Sequence, residues 1–296
     1  MLPESETVVR ILTACSLGGL LLTVGLRLRW LEVTTSLRSC RIVGIAVANF
    51  LAVPLLAVAV ALATPLSPER SVGMVLLAAA PFAPVVPVFA RMARADLALA
   101  AGLASLFPVV CAVLTPLVLH VSLPWVSSSA GIPFRPGLVL GVLLTTITLP
   151  LAVGIALNHV WPPLKRRLLR PVEITAETIG AASLLFVTWV EFGNIVNTPL
   201  ESLVAMVVFI EASFLLGYML GGSSPGRRLV IALGTSNRNI ALALLIALDS
   251  FAGTTVPGVV VTIGLLLILS GLLHVAFHRC VRFGAKVVDR NGRAEG

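Results

Sequence analysis

The sequence predicts an all-α polytopic membrane protein of nine transmembrane helices, and three observations carry that prediction. Apolar residues are 58% of the chain and charged ones only 11%, and the mean hydropathy is +1.05, far outside the range of a soluble domain. Runs of bilayer length, roughly 20 mainly apolar residues, recur along all 296 residues, at about 8–28, 42–63, 71–91, 97–121, 136–158, 172–196, 201–221, 227–249 and 255–278. Their basic flanks fall on one side. A β-barrel would show alternating ten-residue segments instead. The connections are short, so residues 1–296 read as one transmembrane domain, with a basic cytoplasmic tail at 279–296.

The charge distribution gives the orientation. The net charge is +8, which by itself would also suit a nucleic-acid binder. Walking the nine spans, one side of the bilayer collects 17 basic residues: Arg27, Arg29, Arg38, Arg41, Arg91, Arg94, Lys165, Arg166, Arg167, Arg170, Arg227, Arg228 and five in the tail. The other side has Arg10, Arg70 and Arg135, and Arg238 lies within a span. That asymmetry is the positive-inside pattern. It places the N-terminus outside and the C-terminus in the cytoplasm of a plasma (inner) membrane, and no nucleic-acid partner is needed.

Taken in order, span one is a retained helix rather than a signal peptide. Glu4 and Glu6 precede it, and Arg27 and Arg29 stand where a small-residue cleavage site would be. Span two is an apolar run, "ANFLAVPLLA" at its centre. Span three, "GMVLLAAAPFAPVVPVFARMARAD", has Pro81, Pro84 and Pro87 within seven residues. Each removes a backbone donor and crowds the preceding turn. Unwinding of that kind is tolerated at membrane depth only against protein or a water-filled cavity. Asp96, just after Arg94, reads as the cap of span four. Glu191 lies toward the outer end of span six, where it is expected to reach the interface, and Glu211 lies about midway along span seven.

Span eight, "LVIALGTSNRNIALALLIAL", has Thr235, Ser236, Asn237, Arg238 and Asn239 at its middle, with Gly234 as the expected flexible point. If one helix were added before span one, the chain would divide into two halves of five, and spans three and eight would be the fourth helix of each. Discontinuous helices at matching positions of two halves point to a transporter's midplane site. The fold expected is therefore an inverted-repeat transporter lacking the first of ten helices, with two crossing discontinuous helices.

These blocks resemble the bile acid/sodium symporter family. Pro81, the run Ala93-Arg94-Ala95-Asp96-Leu97-Ala98-Leu99 and "LTPLVL" from Leu114 are similar to its fourth and fifth helices. "RNIALALLIA" from Arg238 is similar to its ninth helix, with Arg-Asn in place of Gln-Asn, and "ANFLAVPLLA" from Ala48 to its third. The resemblance implies a secondary transporter, a monomer, with the two crossing broken helices forming the site. It also implies departures. The positions that hold sodium ligands in the coupled members fall here at Val86, Pro87, Ala100, Ala104, Gly234 and Arg238. Sodium needs several oxygen donors, and these side chains offer none.

A charge at mid-bilayer costs at least ~2.5–3.5 kcal/mol on insertion scales and usually marks a functional site. Three readings of Arg238 stand open. It binds the carboxylate or sulfonate of a solute with its planar fork, with Asn239, Asn237, Ser236 and Thr235 around it. It serves as a tethered counter-charge in place of sodium. Or it forms an internal ion pair, with Glu211 the candidate. One of Glu211 and Glu191 is a candidate for proton coupling.

The function expected is thus a secondary transporter of a small or amphipathic organic anion, without a metal or other cofactor and independent of sodium at the usual sites. The alternatives are sodium symport through replaced ligands, or a non-transporting receptor on the same scaffold. An enzyme is not expected: no Ser-His, HExxH, Walker or paired-carboxylate signature is present. His120, His159, His274 and His278 lie near span ends and suggest interfacial placement, as do Trp30, Trp125 and Trp161. Trp189, Asn194 and the four scattered cysteines read as packing residues. An arsenite-efflux scheme would want a cysteine at the broken fourth helix, and none stands near Pro81 along the chain.

Overall fold

The computed structural model describes residues 3–27, 42–127 and 136–292, and the expectations for Arg29, Trp30, Arg38, Cys40, Arg41, Arg135 and Arg293 fall outside them. Among the described residues the protein is all helical. We number the helices α1 (Pro3–Arg27), α2 (Ile42–Ala63), α3 (Pro68–Ala78), α4 (Val86–Met92), α5 (Leu97–Ser122), α6 (136–160), α7 (Pro162–Val190), α8 (Leu200–Leu220), α9 (Pro225–Ser236), α10 (Ile240–Ser250) and α11 (Val256–Gly292). Among the described residues, eight helical stretches are long and apolar enough to cross a membrane, α9 and α10 counting as one. The nine expected crossings differ from that count at span three, which is divided into an 11-residue α3 and a 7-residue α4.

Local chemistry explains the element ends. Asp96 caps α5 as expected, its carboxylate accepting from Leu99 N–H at 3.0 Å. Ser67 caps α3, accepting from Arg70 N–H at 3.4 Å, with Pro68 in the first turn. α2 and α6 each contain one π turn, Ala48–Ala52 and Leu144–Thr148. In both, a proline follows two residues later (Pro54 and Pro150), so the missing N–H loosens the ladder there.

Two boundaries differ from the sequence expectation. Span six begins about ten residues early, because α7 starts at Pro162 and takes Lys165, Arg166, Arg167 and Arg170 into its first turns. The tail is not a separate segment, since α11 continues through Gly292.

α1 packs against α6 and α7, while α3, α4, α9 and α10 lie between α2, α5, α8 and α11. The α1–α6 seam is backbone on backbone. A Cβ added at Gly25 would lie 2.4 Å from the Leu151 carbonyl oxygen, and one at Gly154 2.3 Å from that of Leu22. Close approach at small residues is how helices associate where lipid is as apolar as leucine. Thr13 and Ser183 share a hydroxyl hydrogen bond of 2.8 Å, and Ser16 donates to the Ala176 carbonyl at 2.9 Å, tying α1 to α7. Arg10 ties the start of α1 to the end of α10, pairing with Asp249 at 3.1 Å and donating to the Leu248 carbonyl at 2.9 Å.

Gly154→Ala should cost about 1–3 kcal/mol or more by overpacking, read as a lower thermal midpoint in detergent. An unchanged midpoint would mean that α1 and α6 separate freely.

Candidate functional site

The two breaks meet and complete one another. α3 ends at Ala78 and α4 begins at Val86, with Pro81 and Pro84 in the unwound stretch and Pro87 in the first turn of α4. α9 ends at Ser236 and α10 begins at Ile240. The N–H of Asn239 donates to the Ala80 carbonyl at 2.8 Å, and the N–H of Ala83 donates to the Asn237 carbonyl at 3.1 Å. Two more carbonyls at the break are met from α5. Thr115 Oγ1 donates to Ala79 O at 2.7 Å, and the Cys111 thiol reaches Pro81 O at 3.8 Å. At the start of α10, Asn239 Oδ1 accepts from Leu242 N–H at 3.1 Å, so that helix is capped inside the bundle.

Arg238 sits between these two anchored asparagines. It is 0% exposed and the largest fully buried side chain. Its Nε, Nη1 and Nη2 have no protein acceptor among the described residues. It lies between the C-terminal end of α9, whose carbonyl dipoles favour a cation, and the N-terminal end of α10, whose N–H groups favour an anion. Its net need for an anionic or strongly accepting partner is otherwise unmet, since burying an unpaired charge is costly.

The neighbours are polar and buried. Asn237 directs Nδ2 toward Ser236 Oγ at 3.3 Å and lies against Gly271 of α11, where an added Cβ would be 3.2 Å from both of its amide atoms. Thr235 Oγ1 accepts from Asn49 Nδ2 at 3.3 Å, while Asn49 Oδ1 has no partner among the described residues. Asn239 spends its side-chain oxygen on the cap.

The structure thus brings Thr235, Ser236, Asn237, Arg238 and Asn239 together with Pro81 at the crossing. It does not bring Glu211 or Glu191. Glu211 accepts from Ser270 Oγ at 2.7 Å and pairs with His274 Nε2 at 3.2 Å, so the ion pair with Arg238 is not formed. Glu191 does not reach the interface. It is buried, 3% exposed, and accepts from Asn194 Nδ2 at 2.6 Å against Gly258 of α11.

Other expectations are corrected too. Gly234 is no flexible point but lies in the last turns of α9, where an added Cβ would be 1.9 Å from the Phe82 ring. Phe82 takes φ +65°, a left-handed backbone rare for a bulky residue, and stacks on Phe107 at 4.9 Å, which stacks on Phe50 at 5.8 Å. Trp189 faces outward rather than packing, and His274 is a paired residue rather than an interfacial one. A cysteine does stand beside the break, Cys111, brought there by α5.

Asn49, Cys111, Thr115 and Phe82 were not identified from the sequence as site residues. A lone asparagine in the apolar run of span two was a usable signal. Nothing along the chain marks the other three.

Gly234→Ala should destabilise by about 1–3 kcal/mol, and Phe82→Ala in the same protein should remove part of that loss. A double-mutant cycle by thermal unfolding is expected to give a coupling of about 0.5–3 kcal/mol; additive losses would mean that the ring does not set the spacing.

The sodium bile acid symporter family model matches residues 14–199, from α1 to the end of the turn before α8, and so includes the α3–α4 break. No curated protein matches the chain. With more than half of its 296 residues matched and its apolar helices crossing at two breaks, this multi-pass membrane chain belongs to the sodium bile acid symporter family.

Proposed function

We propose that the chain is a secondary transporter of a small or amphipathic organic anion, a carboxylate or sulfonate, held at Arg238. The observation that carries the reading is the wholly buried guanidinium without a protein acceptor, fixed between two backbone hydrogen bonds at the crossing. A guanidinium grips a planar oxyanion with two parallel hydrogen bonds. Asn239 and Asn237 add neutral donors, with Ser236 and Thr235 beside them. Membership in a family of secondary transporters supports the reading over an enzyme or a channel. The transporter works as a monomer in the plasma (inner) membrane, N-terminus outside and C-terminus cytoplasmic.

The family's usual sodium positions do not fit a hard cation here. Val86, Ala100 and Ala104 lie in one apolar cluster with Phe82, Leu103 and Phe107. Gly234 is covered by the Phe82 ring. Arg238 replaces a mobile cation with a tethered one, and the solute moves without sodium at those sites.

The test is a thermal-shift screen of purified protein against bile salts, pantoate-like acids and keto acids, in sodium and in choline buffers. The stabilising anion is expected to act equally in both. Arg238→Ala should abolish the shift, and Arg238→Lys should keep only part of it because the fork is lost. A shift that needs sodium would return sodium symport to first place. An undiminished shift in Arg238→Ala would reject the substrate role.

A further inference from the structure

Away from the crossing, α8 and α11 are joined by a three-residue polar cluster at bilayer depth. Glu211 is the twelfth of 21 residues in α8, in otherwise apolar surroundings. Its Oε1 accepts from Ser270 Oγ at 2.7 Å and its Oε2 lies 3.2 Å from His274 Nε2. His274 Nδ1 lies 2.8 Å from the Ser270 carbonyl oxygen. That oxygen can only accept, and Ser270 Oγ, 3.3 Å from Nδ1, directs its own hydrogen to Glu211, so Nδ1 carries a hydrogen. Nε2 then has one remaining option if it is neutral, a lone pair aimed at the carboxylate.

A lone pair facing an ionised carboxylate would set two acceptors against each other. The contact becomes a hydrogen bond only when one proton lies between them, on the imidazole or on the carboxyl group. We infer that Glu211 and His274 together form a proton-binding site, and that its proton is the coupling ion of the transporter. The second half of that inference rests on the anion-transport reading above.

Two further contacts support it. The Phe214 ring is stacked on the imidazole with centroids 3.6 Å apart, which holds the ring in its orientation toward Glu211. The residue after Ser270 is Gly271, which packs directly on Asn237 at the crossing. The helix that shares the proton is therefore the helix that touches the anion site. With its proton the pair is neutral; without it, the pair carries a net negative charge.

The surrounding charged groups lie elsewhere on these and the neighbouring helices. On α8 these are Glu201 at its start and Tyr218, whose ring lies under Arg228 of α9 at 5.5 Å. Arg227 and Arg228 stand at the start of α9, Arg228 donating to the Gly222 carbonyl. α2 has no titratable residue. Against α11 lie Glu69 and Arg70 at the far end of α3, Arg91 in the last turn of α4, Glu191 held by Asn194, and Asp249 held by Arg10. α7 adds its basic first turns, Glu173 paired with Arg27, and Glu177. His278 and Arg279 follow His274 along α11.

The first experiment reads the proton itself. Protein labelled with ¹⁵N-histidine is placed in nanodiscs, and the His274 signal is assigned by its loss in His274→Gln. At neutral pH the wild type should show an N–H on Nδ1 and either an N–H on Nε2 or a protonated-carboxyl infrared band that disappears in Glu211→Gln. In Glu211→Gln, Nε2 should become a lone-pair nitrogen. A lone-pair Nε2 in the wild type with no such carboxyl band would overturn the proton site.

The second reads coupling, with taurocholate as the probe because its sulfonate stays charged. Uptake into proteoliposomes should rise when the interior is made alkaline, and the ratio of uptake with and without the gradient should fall to one in both variants. A ratio that stays raised in Glu211→Gln would overturn the coupling role. Failure of wild-type protein to bind taurocholate or any anion of the screen would sink the anion reading and the coupling built on it, while the spectroscopic result decides the proton site by itself.

Discussion

The fold depends on two backbone hydrogen bonds, Asn239 N–H to Ala80 O and Ala83 N–H to Asn237 O. A helix that breaks in a bilayer releases donors and acceptors that no water meets, each costing several kcal/mol. Either break alone would be ruinous. Crossed, each supplies what the other lacks, and α5 closes the remainder through Thr115 and Cys111. The accounting explains why α3, α4, α9 and α10 lie inside the bundle: a crossing exposed to lipid would lose the shell that completes it. It also explains why Phe82 is tolerated at positive φ, since the strain sits where packing on Gly234 and Phe107 over-determines the backbone.

The same two bonds make Arg238 what it is. They pin the residues on either side of it, so the guanidinium cannot withdraw from the interior by letting the backbone slide. Eleven residues of helix lie beyond the break on one side and twelve on the other, too much for the side chain to snorkel. An interior cation with unmet hydrogen-bond capacity is stable only with a partner. Glu211, the carboxylate at comparable depth, is committed to Ser270 and His274. The charge therefore points toward a partner brought by a solute.

Much of this was legible in the residues. The apolar runs, the basic asymmetry, the Asp96 cap and the two interrupted spans follow from composition and spacing, and Arg238 announces itself as the one basic residue placed within a span. What the chain hid was mostly rotational. Whether Glu211 faces Arg238 or α11 depends on the turn of one helix about its axis, and an apolar run with a weak amphipathic signal does not fix that turn. Gly234 was misjudged for a related reason. A glycine beside a polar cluster suggests a hinge, yet here the missing Cβ makes room for a ring that arrives from the other broken helix. Glu191 and Cys111 were misplaced because what they pack against, Gly258 and the Pro81 carbonyl, is distant in sequence.

A tethered cation changes the energetics of a transport cycle. In a sodium-coupled carrier the positive charge leaves with the solute, so the returning empty site sheds it. In the transporter proposed here Arg238 stays, and the anion neutralises it only on the loaded step. The empty site then carries an uncompensated positive charge through the return step. A charge moving through the full membrane potential exchanges about 2.3 kcal/mol per 100 mV, and burial of the unpaired guanidinium adds its own cost. Return is favoured if another group takes the opposite sign at that moment. Deprotonation of the Glu211–His274 pair supplies one negative charge, on the helix that packs against Asn237. The loaded state would then combine a neutralised arginine with a neutral pair, and the empty state a free arginine with an anionic one. The sum of fixed charge is the same in both, which is the condition for a cycle that neither half of the journey opposes.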